Sequence, residues 1–147
     1  MNSKKAHFIG IGGIGTSALA RWFLSRNWVV SGSDIVGSKI TQELRKEGVK
    51  VKIGHKKANL DKKTAFVVYN QAISPSNPEL QEARRLKIKC ASYPEALGEL
   101  TRQYKTIAVA GAHGKSTVTA FISLVLIKAG FDPTVVIGTR LKQFDAA

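Results

Sequence analysis

Residues 7–15 have the sequence His-Phe-Ile-Gly-Ile-Gly-Gly-Ile-Gly, an apolar stretch of strand length that runs into a glycine-rich turn. The pattern predicts a first strand over residues 7–11. A helix is predicted over residues 14–25, where apolar side chains recur at helical spacing, and a second strand over residues 29–31. A strand, a turn, a helix and a strand in this order are typical of a parallel sheet covered by helices, so we predict an α/β fold.

The same alternation continues as far as residue 102. Gly48 is a stop signal for the helix before it, and Asn77 followed by Pro78 is a start signal for the helix after it. Residues 1–103 are therefore predicted to form one Rossmann-like, parallel-sheet domain. Its further helices are predicted over residues 38–46, 77–87 and 94–102, and its further strands over residues 49–53, 66–69 and 88–90.

The pattern begins again near residue 104. An apolar strand is predicted over residues 106–110, followed by a second glycine-rich turn, a helix over residues 115–129 and a strand over residues 135–137. We therefore predict a second domain, incomplete, over residues 104–147, as the start of a P-loop ATPase domain. A lone strand-helix-strand unit leaves one apolar face uncovered, so this part is expected to be a fragment of a longer protein or to lean on the first domain.

The composition excludes several classes of protein. Apolar residues make up 44% of the chain and charged residues 22%, which is typical of a globular domain and not of a disordered chain. The single cysteine, Cys90, cannot form a disulfide framework and is expected to be a small core residue. No apolar run approaches the length of a membrane span, and the N-terminus has no signal-peptide pattern, so a globular cytoplasmic protein is predicted.

The net charge is +13, from 23 Lys and Arg residues against 10 Asp and Glu residues, and an excess of this size is expected of nucleic-acid binders. The basic residues are spread along the chain, however, without interleaved aromatic residues on which bases stack. We interpret them as a solvated surface, with attraction of a polyanionic small ligand or of nucleic acid as the alternatives. A nucleic-acid module would bind with a steep salt dependence.

Residues 10–15 form the pattern G-x-G-x-x-G between a predicted strand and a predicted helix. Glycines let the chain turn tightly and let a phosphate approach the backbone, and the helix start offers free N–H groups. Asp34 lies nineteen residues beyond Gly15, where an acidic side chain can meet a ribose hydroxyl. The motif predicts a nucleotide site, with a tight structural turn as the alternative, and it does not separate a dinucleotide from a nucleotide-sugar.

Residues 111–117 have the sequence Gly-Ala-His-Gly-Lys-Ser-Thr, again between a predicted strand and a predicted helix. A P-loop wraps backbone N–H groups around phosphates, with a lysine such as Lys115 on the β and γ groups and a hydroxyl such as that of Ser116 on Mg²⁺. Val109 stands where the common pattern has a glycine, so the placement of the motif carries the interpretation. The alternative is a helix N-terminus with an incidental lysine, and for His113 a solvated loop side chain.

The two motifs, in this order and about a hundred residues apart, resemble the N-terminal part of the Mur ligases over nearly the whole chain. The resemblance implies an ATP-dependent, amide-forming ligase of peptidoglycan synthesis, and hence a role in cell-wall biogenesis, cell shape and cell division. The closest resemblance implies UDP-N-acetylmuramate and L-alanine as substrates, the carboxylate of the first becoming an acyl phosphate that the amine of the second attacks. It rests on residues 7–15, 31–34, 54–59, 72–79 and 110–117.

By this resemblance the first domain holds the UDP part of the substrate, not NAD, and the cofactors are ATP and Mg²⁺. Lys115 is implied to stabilise the charge of the transferred phosphoryl group and Ser116 to ligate Mg²⁺, and both are implied to be catalytic. The implied UDP-substrate residues are Gly12, Gly13, Ile14, Gly15, Ser33, Asp34, Ile35, His55 and Asn59. The implied ATP-binding residues are Gly111, Ala112, His113, Gly114, Lys115, Ser116 and Thr117.

The resemblance also implies that the acidic Mg²⁺ ligands, the adenine-facing residues and the C-terminal domain of the family are absent from this sequence, so its 147 residues are not expected to catalyse alone. A nicotinamide-dependent dehydrogenase or NAD sensor is the alternative, although such a protein has no use for the second motif. No structural metal is predicted, because His7 and His55 lack a Cys or carboxylate at ligand spacing.

Overall fold

The structure, a computed structural model, describes residues 3–138 and divides the chain into two units, Met1–Tyr104 and Lys105–Ala147. The first unit contains a five-stranded parallel sheet with the strand order β3-β2-β1-β4-β5. The strands are β1 Lys5–Ile9, β2 Val29–Asp34, β3 Lys50–Ile53, β4 Phe66–Tyr69 and β5 Lys89–Ser92. The helices of this unit are α1 Ile14–Ser25, α2 Lys39–Lys46, α3 Pro78–Arg85 and α4 Tyr93–Thr101.

Helices cover both faces of this sheet, which confirms the predicted α/β class. The alternation of side chains along β1 divides the core, because successive residues of a strand point to opposite faces. Phe8 packs in a cluster with side chains of α1, α2 and α4, whereas Ile9 packs in a second cluster with Leu80 and Ala83 of α3. The central strand is therefore buried on both sides, as expected for a parallel sheet.

The helix starts carry the signals that the sequence shows. Ser38 caps α2 by accepting the N–H of Thr41, whose own hydroxyl accepts the N–H of Ser38 in return. Asn77 caps α3 through its side-chain oxygen, which accepts the N–H groups of Glu79 and Leu80. The start of α1 differs, because Gly13 at its N-cap offers no side-chain hydrogen bond.

Several strand bounds of the first unit differ from the prediction, and those at the ends of the first two strands differ for a local reason. The first strand ends at Ile9 and not at residue 11, because Gly10 takes a left-handed φ of +78° and turns the chain away from the sheet. The second strand continues to Asp34, three residues further than predicted. The prediction stopped early because residues 32–34 lack the apolar side chains typical of a strand. Gly32 allows the strand to continue, since a Cβ there would lie 2.6 Å from the carbonyl oxygen of Phe8.

Within the described part of the second unit, residues 105–138, the regular element is the helix α5, Lys115–Lys128. The strands predicted over residues 106–110 and 135–137 are not formed, so those two predictions were wrong. A strand exists through hydrogen bonds to a neighbour, and an isolated pair of strands is marginal in water. No helix in residues 3–138 is long and apolar enough to cross a membrane.

Candidate nucleotide-binding site

The carboxyl ends of the strands gather the predicted UDP-substrate residues at one edge of the sheet. The strand order places β1 at the centre, with β2 on one side and β4 on the other. In open parallel sheets, ligands bind outside the carboxyl ends of the strands, at the point where the strand order reverses. The glycine-rich turn after β1 lies at this point.

The turn is held in place by backbone hydrogen bonds to β2. The N–H groups of Gly10 and Ile11 both donate to the carbonyl oxygen of Ser33, at 2.8 and 3.0 Å. The N–H of Gly13 donates to the carbonyl oxygen of Gly10, which closes the turn just before α1. Because α1 has no side-chain cap, its first N–H groups and the positive end of its dipole form an anion-binding feature.

Three glycines, two in the turn and one in the first turn of α1, leave room for neighbouring side chains, since a Cβ would lie less than 3.0 Å from one of them at each position. At Gly12 the Cβ would lie 2.8 Å from Oδ2 of Asp34, and at Gly13 it would lie 2.9 Å from Nδ2 of Asn70. At Gly15 it would lie 2.6 Å from the Tyr93 ring carbon Cζ and its hydroxyl. The glycines thus bring the ends of β1, β2, β4 and β5 close together.

Asp34 lies at the end of β2, directly against this turn. Its Oδ2 accepts the N–H of Gly12 at 2.8 Å, so the acidic side chain predicted to meet a ribose also fixes the turn. The next two side chains, Ile35 and Val36, are 69% and 67% exposed. Ile14, the first residue of α1, is also exposed. The switch point of the sheet therefore brings together an acidic group, exposed apolar side chains and a helix start without a side-chain cap.

The other three predicted UDP-substrate residues converge on a carboxylate that we did not predict as a site residue. Glu79, at the start of α3, is completely buried. Its Oε2 accepts hydrogen bonds from Ser33 Oγ at 2.6 Å and from His7 Nε2 at 2.8 Å. Its Oε1 accepts from Asn59 Nδ2 at 2.7 Å. Ser33 is itself fully buried, so its hydroxyl serves this cluster.

The loop that follows β3 wraps around the same carboxylate. The backbone N–H of Lys56 donates to Glu79 Oε1 at 3.0 Å, and Asn59 also donates to the carbonyl oxygen of Gly54. Nδ1 of His55 lies 2.9 Å from Ser33 Oγ and 3.5 Å from Glu79 Oε1. We call His7, Ser33, His55, Asn59 and Glu79 the buried polar cluster.

The cluster holds Glu79 in its charged form. Burial alone raises the pKa of this carboxyl, but hydrogen bonds from His7, Ser33 and Asn59 outweigh burial and bring the pKa down to about 2. At neutral pH the carboxylate is therefore a fixed negative charge inside the protein.

Three members of the buried polar cluster, His7, His55 and Glu79, are residue types that can ligate metals. Residues 3–138 nevertheless contain no group of three or more His, Cys, Asp or Glu side chains arranged to hold a metal ion.

In the second unit, the predicted ATP-binding residues 111–117 are exposed and lead into α5. Gly114 takes a left-handed φ of +75°, and the helix begins at Lys115 without a side-chain cap. Nζ of Lys115 folds back over the loop and donates to the carbonyl oxygens of Gly111 and Ala112, at 2.5 and 3.2 Å. A lysine ammonium over a glycine-rich loop at an open helix start suits phosphate groups, so residues 111–117 have the chemistry to hold a phosphate.

Comparison with known proteins identifies the family. The profile of the Mur ligase family, catalytic domain, matches residues 5–105. The chain belongs to the Mur ligase family. It is 49% identical over 140 residues to the UDP-N-acetylmuramate--L-alanine ligase of Aquifex aeolicus and 50% identical over 138 residues to that of Campylobacter jejuni. These matches cover 95% and 94% of this chain but 31% of each relative, so the chain spans about a third of the length of the curated relatives it matches.

Solved structures of Mur ligases agree with this assignment. The UDP-N-acetylmuramate-alanine ligase of Thermotoga maritima matches with a TM-score of 0.87 and 33% identity, over 95% of this chain and 33% of that chain. The murein peptide ligase of Psychrobacter arcticus matches with a TM-score of 0.79 and 28% identity, over 87% of this chain and 27% of that chain. The predicted resemblance to the Mur ligases is confirmed.

Proposed function

We propose that this chain is the UDP-N-acetylmuramate-binding part of an ATP-dependent UDP-N-acetylmuramate:L-alanine ligase, together with the phosphate-binding loop of its ATP site. The observation that carries the proposal is the joint placement of the glycine-rich turn and Asp34 at the switch point of the sheet. Relatives that are about 50% identical to this chain carry the name of this ligase. Membership of the Mur ligase family argues against the NAD-binding alternative.

In the proposed site, the open start of α1 binds the pyrophosphate of UDP through backbone N–H groups. Asp34 accepts a hydroxyl of the ribose, while the exposed side chain of Ile35 offers an apolar surface to the uracil ring. His55 and Asn59 border the same site from the loop after β3. The net charge of +13 favours the approach of this anionic substrate.

The second unit is proposed to bind the phosphates of ATP through residues 111–117. ATP supplies the phosphoryl group that activates the muramyl carboxylate, releasing ADP, and the amine of L-alanine then displaces phosphate to form the amide. Lys115 places its ammonium on the phosphates, and the hydroxyl of Ser116 ligates Mg²⁺. We propose ATP and Mg²⁺ as cofactors and the cytoplasm as the compartment, because ATP and UDP-sugars are available there.

The test is calorimetric titration of the chain with UDP-N-acetylmuramate, with NAD and with Mg-ATP in parallel. We expect binding of the UDP-sugar and no binding of NAD. Asp34→Ala should weaken UDP-sugar binding, whereas the control Asp61→Ala should not, because Asp61 lies on the surface in an ion pair with Lys5. Lys115→Ala should weaken Mg-ATP binding without changing UDP-sugar binding. Binding of NAD with no response to the UDP-sugar would overturn the proposal.

A further inference from the structure

Glu79 is fully buried, yet its carboxylate contacts several of the elements that border the proposed nucleotide site. Its carboxylate accepts hydrogen bonds from β1, from β2 and from the loop after β3, while its own residue belongs to α3. We propose that Glu79 is a positioning residue, which holds the end of β2 and residues 54–59 in the conformation that binds the UDP part of the substrate. This inference rests on the proposed function.

Two short paths of hydrogen bonds connect Glu79 to the candidate site. Along the first, Glu79 holds the side chain of Ser33, and the carbonyl oxygen of Ser33 accepts two N–H groups of the glycine-rich turn. Along the second, Glu79 holds Asn59, which donates to the carbonyl oxygen of Gly54. The N–H of Gly54 in turn donates to the carbonyl oxygen of Asp34 at 2.8 Å. The position of Asp34 is therefore restrained on one side by Ser33, the residue before it, and on the other by Gly54 of the loop after β3.

The cluster also presents one polar atom that remains without a partner. Nδ1 of His55 lies against Ser33 and Glu79, whereas its Nε2 is buried and has no hydrogen-bond partner in the part of the chain that the structure describes. A buried polar atom without a partner costs free energy, and a bound ligand that hydrogen-bonds to it removes that cost. We assign Nε2 of His55 as a contact for the bound UDP-sugar, with Glu79 and Ser33 fixing the ring.

A carboxylate suits this role better than an amide, because the four groups that hydrogen-bond to it can all act as donors. Gln at position 79 can keep an oxygen toward Lys56 N–H and Asn59, and its amide group then faces His7 and Ser33. The imidazole and the hydroxyl can exchange donor and acceptor roles, so Glu79→Gln retains the packing. It loses the charge that strengthens every bond of the cluster.

The experiment compares wild type with Glu79→Gln and with the control Glu99→Gln, which makes the same chemical change at a surface ion pair with Lys89. UDP-N-acetylmuramate affinity is measured by calorimetry at pH 7, at a temperature at which each protein is folded. Amide hydrogen exchange follows Lys56 and its neighbours in residues 54–59. ¹⁵N NMR follows Nε2 of His55 during the titration of wild type and of Glu79→Gln, and a weaker response in the variant would show that Glu79 fixes the ring against the bound UDP-sugar.

We expect Glu79→Gln to bind the UDP-sugar about tenfold or more weakly, a loss of about 1.4 kcal/mol, with faster exchange at Lys56 and an unchanged control. The His55 Nε2 signal should shift on titration of wild type. Should Glu79→Gln fail to fold, Ser33→Ala replaces it, because this change removes a hydroxyl that donates to Glu79 and leaves the carboxylate itself in place. We expect Ser33→Ala to weaken binding about fivefold, the value of one hydrogen bond.

The outcomes separate this inference from the proposed function. Equal affinity of wild type and Glu79→Gln would overturn the positioning role and leave the proposed function standing. If wild type does not bind the UDP-sugar, the proposed function and the positioning role both fall, and faster exchange at Lys56 would then describe a structural carboxylate only. If Glu99→Gln weakens binding to the same degree as Glu79→Gln, the positioning role of Glu79 is also overturned, because the effect then follows net charge.

Discussion

Acid should destabilise the first unit through Glu79, and Glu79→Gln should remove that sensitivity. The pKa of this carboxyl is lowered from its ordinary 4.5 to about 2 in the folded protein. A group with a depressed folded pKa binds protons more readily in the unfolded chain, so its stabilising contribution is complete above about pH 5. The contribution is lost as the pH falls from about 4.5 toward 2.

The size of the effect follows from the two pKa values. A difference of about 2.5 pKa units corresponds to roughly 3 kcal/mol between the charged and neutral forms, of which roughly 2 kcal/mol is lost by pH 3. Gln resembles the neutral carboxyl. The free energy of unfolding of the Glu79→Gln variant should therefore lie about 3 kcal/mol below that of wild type at pH 7. At pH 3 the gap should narrow to about 1 kcal/mol.

The assay is urea unfolding at pH 7, 5, 4 and 3 at constant ionic strength, followed by tryptophan fluorescence. Trp22 and Trp28, the two tryptophans of the chain, both lie in the first unit, so the signal reports the unit that contains Glu79. His7 and His55, which face Glu79, are present in both proteins, and Glu99→Gln controls for loss of a surface charge. A gap that stays constant or widens toward pH 3 would refute the reasoning.

Four further predictions concern stability, and urea unfolding measures each of them. Gly98→Ala, inside α4, should stabilise the first unit by about 0.5–1 kcal/mol, because the added Cβ meets nothing within 4 Å. Gly48→Ala is its matched opposite: the space is equally open, but φ is +93°, so we expect a loss of about 1–2 kcal/mol, and equal effects of the two changes would contradict this account. Gly15→Ala should cost about 1–3 kcal/mol through overlap with Tyr93, and most of this cost should disappear in the Tyr93→Ala background; a cost that persists there would point to another cause. Asn77→Ala should cost about 1 kcal/mol through loss of the cap of α3, and Asn77→Asp should retain most of that stability; if Asp is no better than Ala, the cap does not contribute as described.

Much of the first unit could be predicted because its signals are local. The helix over residues 14–25 and the strand over residues 66–69 have the predicted bounds, since each shows a clear apolar pattern between turn residues. The glycine-rich turn and Asp34 were predicted as one site for a topological reason. In a parallel sheet, the residues that follow successive strands meet at one edge, so sequence order translates directly into proximity.

The buried polar cluster could not be predicted in the same way. Glu79 follows Asn77 and Pro78 at the start of a helix, and an acidic residue there is commonly explained by the helix dipole on a solvated surface. Its burial depends on His7, 72 residues away, and on Ser33, 46 residues away. The missed signal was a chemical one: polar residues at positions 7, 31 and 33 of two central strands require buried partners, and a carboxylate is the partner that accepts from several donors.

The strands predicted over residues 106–110 and 135–137 show that a local apolar pattern alone does not produce a strand. Residues 106–110 are apolar enough for a strand, but a parallel strand needs neighbours on its edges and helices on its faces. In the described part of the second unit, Phe121 and Val125 of α5 are 65% and 66% exposed, so the helix formed from local signals while its apolar side chains did not become core. The hydrogen bonds of a helix lie within one segment, whereas those of a sheet join two strands. The glycine-rich loop at the start of α5 therefore depends less on a neighbouring sheet than the predicted strands do.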